Sequence, residues 1–135
     1  MARILAHRPD PGNRAAAGHL FSWVDILWSE DHLMRERARK LTDAEIQTAV
    51  MELGGWKVES GKLHREYKFA GFVEAFGFMA STALVAESMN HHPEWFNVYH
   101  TVKVDLVTHD LQGISTLDVE MARRMEALAS TRGAK

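Results

Sequence analysis

The stretch ESMNHHPEWFNVYHTVKVDLVTHD, residues 87–110, decides how the rest of this chain is arranged. Trp95 to Tyr99 is rich in aromatic and β-branched residues, as strands are, and Val102 to Thr108 alternates apolar and polar residues. His100 and Thr101 lie between the two runs, where a turn belongs. The stretch therefore predicts an antiparallel β-hairpin that begins directly after a helix.

A second hairpin, residues 56–69, is predicted upstream. Two alternating runs flank Ser60-Gly61-Lys62, which is typical of a tight turn. A helix precedes this hairpin. Thr42 and Glu45 form a capping-box pattern at its start, and Gly54-Gly55 would end it.

Two further helices complete the pattern. Residues 71–89 carry apolar side chains at helical spacing over a wide surface, which a buried helix or a subunit contact would cover. Leu117, Met121, Met125 and Leu128 predict a final helix. The order α-β-β-α-β-β-α predicts an α+β fold, a four-stranded antiparallel sheet with three helices on one face.

The chain divides near Lys40 into an N-terminal extension, residues 1–40, and a domain, residues 41–135. The extension has seven Lys/Arg and five Asp/Glu, which gives it a net charge of +2. The domain has nine Lys/Arg and thirteen Asp/Glu, which gives it a net charge of −4. The run from Phe21 to Trp28, followed by charged residues, allows two interpretations. It is either an amphipathic helix that packs on the domain or on another subunit, or a loosely ordered extension.

Composition places the chain among soluble globular proteins. Its 135 residues suffice for one domain, and its net charge of −2 disfavours a nucleic-acid binder with a broad basic face. The absence of cysteine excludes disulfides, thiol catalysis and thiolate metal sites. No apolar run approaches the ~20 residues of a membrane helix. We expect a cytoplasmic protein, with organelle import through the Arg-rich, acid-poor residues 1–20 as the alternative.

Three histidines are expected to meet at the open end of the second hairpin. If the chain turns near His100, paired residues have numbers that sum to about 200. His91 and His92 then lie opposite His109 and Thr108. Facing residues in an antiparallel pair have Cβ atoms about 4.5–5.5 Å apart, so a site becomes more probable than three unrelated structural histidines.

Two neighbours shape this cluster. Pro93 keeps His92 in an extended conformation, outside the helix. Glu87 is four residues before His91, one helical turn away, so its carboxylate is expected to orient an imidazole and stabilise its charged form. A solvated helix residue is the alternative role for Glu87.

Three imidazoles suit two kinds of chemistry. The ordinary histidine pKa of about 6.5 suits both acid and base roles near neutrality. Three histidines and a water can also hold a catalytic zinc ion, although the local signature His-Glu-x-x-His is missing. Acid–base catalysis is therefore the preferred interpretation, and a metal-dependent hydrolase is the alternative.

A longer pattern surrounds the histidines: Glu-x-x-x-His-His-Pro, an aromatic strand, then Thr-His. The segments that carry it are Gly55-Trp56, Phe76-Gly77-Phe78-Met79, Glu87 to Tyr99, Thr108-His109-Asp110 and Gly113-Ile114-Ser115. From about Lys40 to Leu128 the chain resembles the pterin-4a-carbinolamine dehydratase family, also called 4a-hydroxytetrahydrobiopterin dehydratase or dimerization cofactor. The extension lies outside this resemblance.

The resemblance implies a hydro-lyase that removes water from 4a-hydroxytetrahydropterin, giving quinonoid dihydropterin in tetrahydrobiopterin recycling, with no metal or organic cofactor. The catalytic positions that match are His91, His92 and His109. The substrate-binding positions that match are Asn90, His91, His92, Val107, Thr108, His109, Asp110 and Trp56, with Glu87 and Pro93 in support. As a hypothesis, His91 and His109 transfer protons while His92 binds the substrate.

The resemblance also implies partners. We expect a pterin substrate and a homodimer or homotetramer formed through helix 71–89, with no direct contact to nucleic acid or membrane. Animal members of the family also bind a homeodomain transcription factor and stabilise its dimer, so a binding module is the alternative function. The side chain of the natural pterin stays open.

Overall fold

The computed structural model describes the backbone of residues 23–135 and the side chains of residues 30–135. The possible import signal in residues 1–20 lies outside this range. The helices are α1 (Trp23–Glu36), α2 (Asp43–Leu53), α3 (Phe72–Met89) and α4 (Thr116–Ser130), with a short 3₁₀ helix at His109–Leu111. The strands are β1 (Lys57–Glu59), β2 (Lys62–Lys68), β3 (Glu94–Val98) and β4 (Thr101–Leu106).

The four strands form one antiparallel sheet in the order β1-β2-β4-β3. Glu94 lies opposite Asp105 and Val98 lies opposite Thr101, so the second hairpin turns at Tyr99 and His100. The observed register is within one residue of the predicted one. Because β4 also pairs with β2, the second hairpin contributes both an inner strand and an edge strand.

One face of the sheet forms the floor of the core. Its fully buried side chains are Leu63, Tyr67, Val102, Val104 and Leu106. The helices cover this face, and their fully buried side chains include Phe78, Met89, Leu117, Met121 and Met125. The opposite face is open and carries exposed Phe96 and Val98. The predicted α+β fold, a helical layer on a four-stranded antiparallel sheet, is confirmed.

Two helices begin on capping boxes. The predicted box of Thr42 and Glu45 starts α2, where the Thr42 hydroxyl accepts the Glu45 N–H at 3.3 Å and the Thr42 N–H donates back to the Glu45 carboxylate at 2.9 Å. A second box, Ser115 with Asp118, starts α4. Sequence reasoning overlooked this second box, and it proves central to the candidate site.

Helix α3 leaves much of its apolar surface uncovered. Ala75, Phe78, Thr82, Ala86 and Met89 face the interior. The exposed apolar side chains on its other sides are Phe72, Val73, Phe76 and Leu84. By length and composition alone α3 could cross a membrane, but its buried face packs as a core helix of the domain.

Candidate functional site

The end of α3 delivers the His91-His92 pair to the sheet. Asn90 adopts the left-handed conformation, with φ 46° and ψ 42°. The His91 N–H then donates to the Ala86 carbonyl at 3.0 Å, and the Asn90 N–H donates to the Glu87 carbonyl at 3.1 Å. This Schellman arrangement reverses the chain after the helix, and asparagine tolerates the left-handed conformation better than most residues.

His91 is buried and held by a carboxylate from α4. Its Nε2 lies 2.7 Å from Oδ1 of Asp118, and Asp118 is completely buried. A carboxylate can only accept, so Nε2–H donates and the neutral imidazole presents Nδ1 as its acceptor. Such a pairing selects one tautomer and one ring orientation. Asp118 thus fixes the orientation of the His91 ring.

The other oxygen of Asp118 closes a buried network. Its Oδ2 accepts the Ser115 N–H at 2.7 Å and the Thr108 hydroxyl at 2.8 Å. Thr108 and Ser115 hydroxyls lie 2.6 Å apart. Because all four residues are buried, each of these polar groups depends on the others for its hydrogen bonds. The network joins the segment after β4 to His91 through Asp118. The predicted register had placed Thr108 opposite His92 instead.

His92 points away from this network. Its side chain is exposed, and its Nε2 lies 2.9 Å from Oε2 of Glu87. Glu87 was expected to orient an imidazole, with His91 one helical turn away, and the imidazole that its carboxylate contacts is that of His92. The turn at Asn90 breaks the helical spacing. His92, five positions after Glu87, therefore contacts it, and His91, four positions after, does not.

His109 forms the third histidine–carboxylate pair, after His91–Asp118 and His92–Glu87. It is exposed at the first position of the 3₁₀ helix, and its Nε2 lies 3.0 Å from Oε1 of Glu94. Glu94 also forms an ion pair with Lys62. The ion pair with Lys62, and to a smaller extent the hydrogen bond from His109, lower the pKa of Glu94, so this carboxylate is charged at neutral pH. His109 thus has an anionic partner across the hairpin.

The three imidazoles were expected to converge, and the structure instead bonds them to three different carboxylates. Two cavities of about 400 and 210 Å³ lie beside segments 87–90 and 108–111, and none of the three histidines lines either one. Val107, half-buried, connects the end of β4 to Thr108, and half-buried Pro93 leads into β3. Among the described residues, no group of three or more His, Cys, Asp or Glu side chains is placed to hold a metal ion.

Trp56 makes its hydrogen bond elsewhere in the core. Its Nε1 donates to Glu126 at 2.7 Å, and the hydroxyl of Tyr67 donates to the same oxygen at 2.8 Å. Arg65 completes the cluster, 3.3 Å from that oxygen. Burial, together with the hydrogen bond to Glu126, raises the pKa of Tyr67. The structure therefore gives Trp56 a packing role on α4 and shows no hydrogen bond from it to the histidines.

A residue of the extension reaches the site. Arg35 of α1 donates a hydrogen bond to the Asn90 carbonyl, and its other terminal nitrogen lies 3.7 Å from Oδ2 of Asp110. Arg35 lines both cavities. No motif pointed to Arg35, because its partners are distant in sequence. Asp118, by contrast, left a signal, since Ser115-x-x-Asp118 is a capping-box pattern before an apolar run.

Comparisons with known proteins show which family this chain resembles. A sequence model described as pterin 4 alpha carbinolamine dehydratase matches residues 39–128. Proteins provisionally named pterin-4-alpha-carbinolamine dehydratase are 57% identical over 91 residues in Solibacter usitatus and 50% identical over 91 residues in Synechococcus sp.. Both alignments cover 67% of this chain, and 96% and 98% of those relatives.

A solved structure is also similar. The crystal structure of a transcriptional coactivator/pterin dehydratase from Brucella melitensis is 47% identical, with a TM-score of 0.65. The similarity covers 67% of this chain and 99% of that one. Fold, motif and sequence identity agree over the same domain, and the chain belongs to the pterin-4-alpha-carbinolamine dehydratase family.

Proposed function

We propose that this chain dehydrates 4a-hydroxytetrahydropterin to quinonoid dihydropterin and water by histidine acid–base catalysis. The observation that carries the proposal is the buried His91–Asp118 pair at the end of the hairpin where His92 and His109 also lie. A carboxylate that orients an imidazole is a common arrangement for proton transfer. Membership of the family supplies the substrate class.

The reaction requires two proton transfers. The bond between C4a and its hydroxyl oxygen breaks, and a proton must reach that oxygen so that water leaves. A base removes the proton from N5, and its electron pair forms the C4a–N5 double bond. Two imidazoles with pKa values near neutrality can supply both transfers and exchange their protons with water afterwards.

The structure favours distinct roles for the three histidines in this proposal. His91, with Nε2–H bound to Asp118, takes the N5 proton through Nδ1. His109, exposed and supported by the carboxylate of Glu94, gives a proton to the leaving hydroxyl. His92 binds the substrate and adds electrostatic support. The pterin ring would lie along Asn90 and residues 107–110, where backbone and side-chain polar groups surround it.

A stopped-flow assay with synthetic 4a-hydroxytetrahydropterin tests the proposed activity directly. We expect the purified chain, without a histidine tag, to accelerate loss of the carbinolamine by at least about a hundredfold over buffer, which is the lower range for positioned acid–base catalysis. Prolonged dialysis against a chelator should leave the rate unchanged. A rate equal to that of buffer contradicts the dehydratase, and activity that disappears with a stoichiometric metal contradicts a metal-free mechanism.

The exposed face of α3 supports a homo-oligomer as part of this proposal. Val73 and Leu84 are 78% and 77% exposed in the single chain, and burying such side chains between subunits is favourable. Light scattering at micromolar concentration should give the mass of a dimer or tetramer. Leu84→Glu should lower that mass, whereas Met51→Glu, at an equally exposed apolar residue on α2, should not. A monomeric native chain contradicts this expectation.

The same face supports a second candidate function. The Brucella melitensis protein is described as a transcriptional coactivator as well as a pterin dehydratase. A helical protein partner could replace a subunit on α3 and leave the histidine site intact. Recovery of a mixed complex in place of the homo-oligomer would favour this function. We propose that both functions are cytoplasmic, since the absence of cysteine fits a reducing compartment.

A further inference from the structure

Helix α1 lies outside the part of the chain that the family model matches, residues 39–128, yet it is anchored on the domain. Asp31 is only 8% exposed, and its Oδ1 accepts a hydrogen bond from Arg124 of α4 at 3.0 Å. Arg124 is also bound to Glu120, and Met34 packs against the core. A partly buried ion pair and an apolar contact hold the last turns of α1 in a defined position.

This anchoring directs Arg35 to the two segments that were expected to bind pterin. One guanidinium nitrogen donates to the Asn90 carbonyl and another approaches the carboxylate of Asp110. Asn90 precedes the histidine pair, and Asp110 follows His109. Because a guanidinium holds several acceptors in one plane, Arg35 joins the two sides of the candidate site from outside the domain.

The position of Arg35 also sets the space beside the site. It lines both the cavity of about 400 Å³ along the end of α3 and the cavity of about 210 Å³ beside Thr108 and Asp110. Its side chain is 38% exposed, so part of it is accessible from solvent. A neutral side chain here would leave Asp110, which is 84% exposed, free to move.

We propose that Arg35 is a positioning residue for the pterin substrate, so that α1 completes a binding site whose remaining residues belong to the domain. This inference rests on the proposed dehydratase function. Arg35 fixes the distance between segment 90–92 and segment 107–110, and thereby the slot for the pterin ring. Among the described residues no hydrogen bond joins Arg35 to His91 or Asp118, so we expect proton transfer in the bound complex to be independent of it.

Two readouts on the full chain test this inference. Arg35→Met should raise KM for the carbinolamine about tenfold while kcat changes less than about twofold, since a tenfold change equals the 1.4 kcal/mol of one charge-assisted hydrogen bond. Its Kd for 7,8-dihydrobiopterin, a stable pterin probe, should rise equally. Arg35→Lys should recover part of the loss. Arg37→Met removes the same charge from the exposed turn residue directly after α1 and should match the native chain.

The outcomes separate the two proposals. If the native chain neither binds the probe nor dehydrates the carbinolamine, both proposals are wrong. If the native chain does both and Arg35→Met equals Arg37→Met, only the role of Arg35 is overturned. An equal fall in kcat and kcat/KM for Arg35→Met would also overturn it, because the residue would then act on the reacting groups.

Discussion

Replacing Asp118 by alanine is expected to lower the free energy of unfolding by about 3–5 kcal/mol, because one partner of a buried charged network is removed. The His91 ring, the Ser115 N–H and the Thr108 hydroxyl all lose their acceptor at once. The capping box of α4 is lost as well. Urea unfolding followed by circular dichroism, at one fixed protein concentration, measures the change.

Asp110→Ala is the matched control for this measurement. Asp110 is 84% exposed, so its removal should change stability by less than about 0.5 kcal/mol. An Asp118→Ala chain that is as stable as the Asp110→Ala chain would show that the network contributes little to the fold.

Asp118→Asn separates the stabilising role from the catalytic one. The amide keeps the shape of the side chain, and its oxygen can still accept from Ser115 and Thr108. Its nitrogen then faces Nε2–H of His91, donor against donor, so His91 must change to the other tautomer. We expect a folded chain whose kcat is at least about a hundredfold lower.

Replacing His91 by alanine is expected to lower kcat by about 10²–10⁴-fold, the usual effect of losing a positioned acid or base. Asp118 holds the tautomer and orientation of His91 in a buried site, which suits the role proposed for it. Single-turnover stopped-flow measurement of carbinolamine loss checks it. His109→Ala should give a loss of similar size if it supplies the proton to the leaving hydroxyl.

His100 offers the control, since it lies in the turn at the opposite end of the same hairpin. His100→Ala should dehydrate the substrate at nearly the native rate. If the His91→Ala and His109→Ala chains both kept near-native rates, the proposed mechanism would be wrong. If His92→Ala raised KM with little effect on kcat, its assignment to binding would be supported.

Local sequence signals predicted most of the fold correctly. Alternating residues around Ser60-Gly61-Lys62 and around His100 located both hairpins. The pairing of β3 with β4 followed from the position of the turn at His100. The Thr42 capping box placed the start of α2. These signals work because turn position and side-chain period act over a few residues, which suffices to set the pairing of adjacent strands.

The partners of the histidines were less predictable. The sequence suggested Glu87 for His91, because a helical repeat was extended past residue 89. A single left-handed residue, Asn90, ended that repeat and turned His91 toward α4. Spacing rules fail at such a point, since one change in backbone angles redirects every side chain after it.

By itself, the sequence determined the α+β layering, the two hairpins and the meeting of the His91-His92 segment with Thr108-His109, because period, turns and register are local properties. Only the tertiary structure decided that His91 is buried against Asp118 while His92 and His109 stay exposed. It also decided that Arg35 reaches Asn90 and Asp110. These contacts join residues 27, 55 and 75 positions apart, and no local pattern encodes which distant helix packs over a given turn.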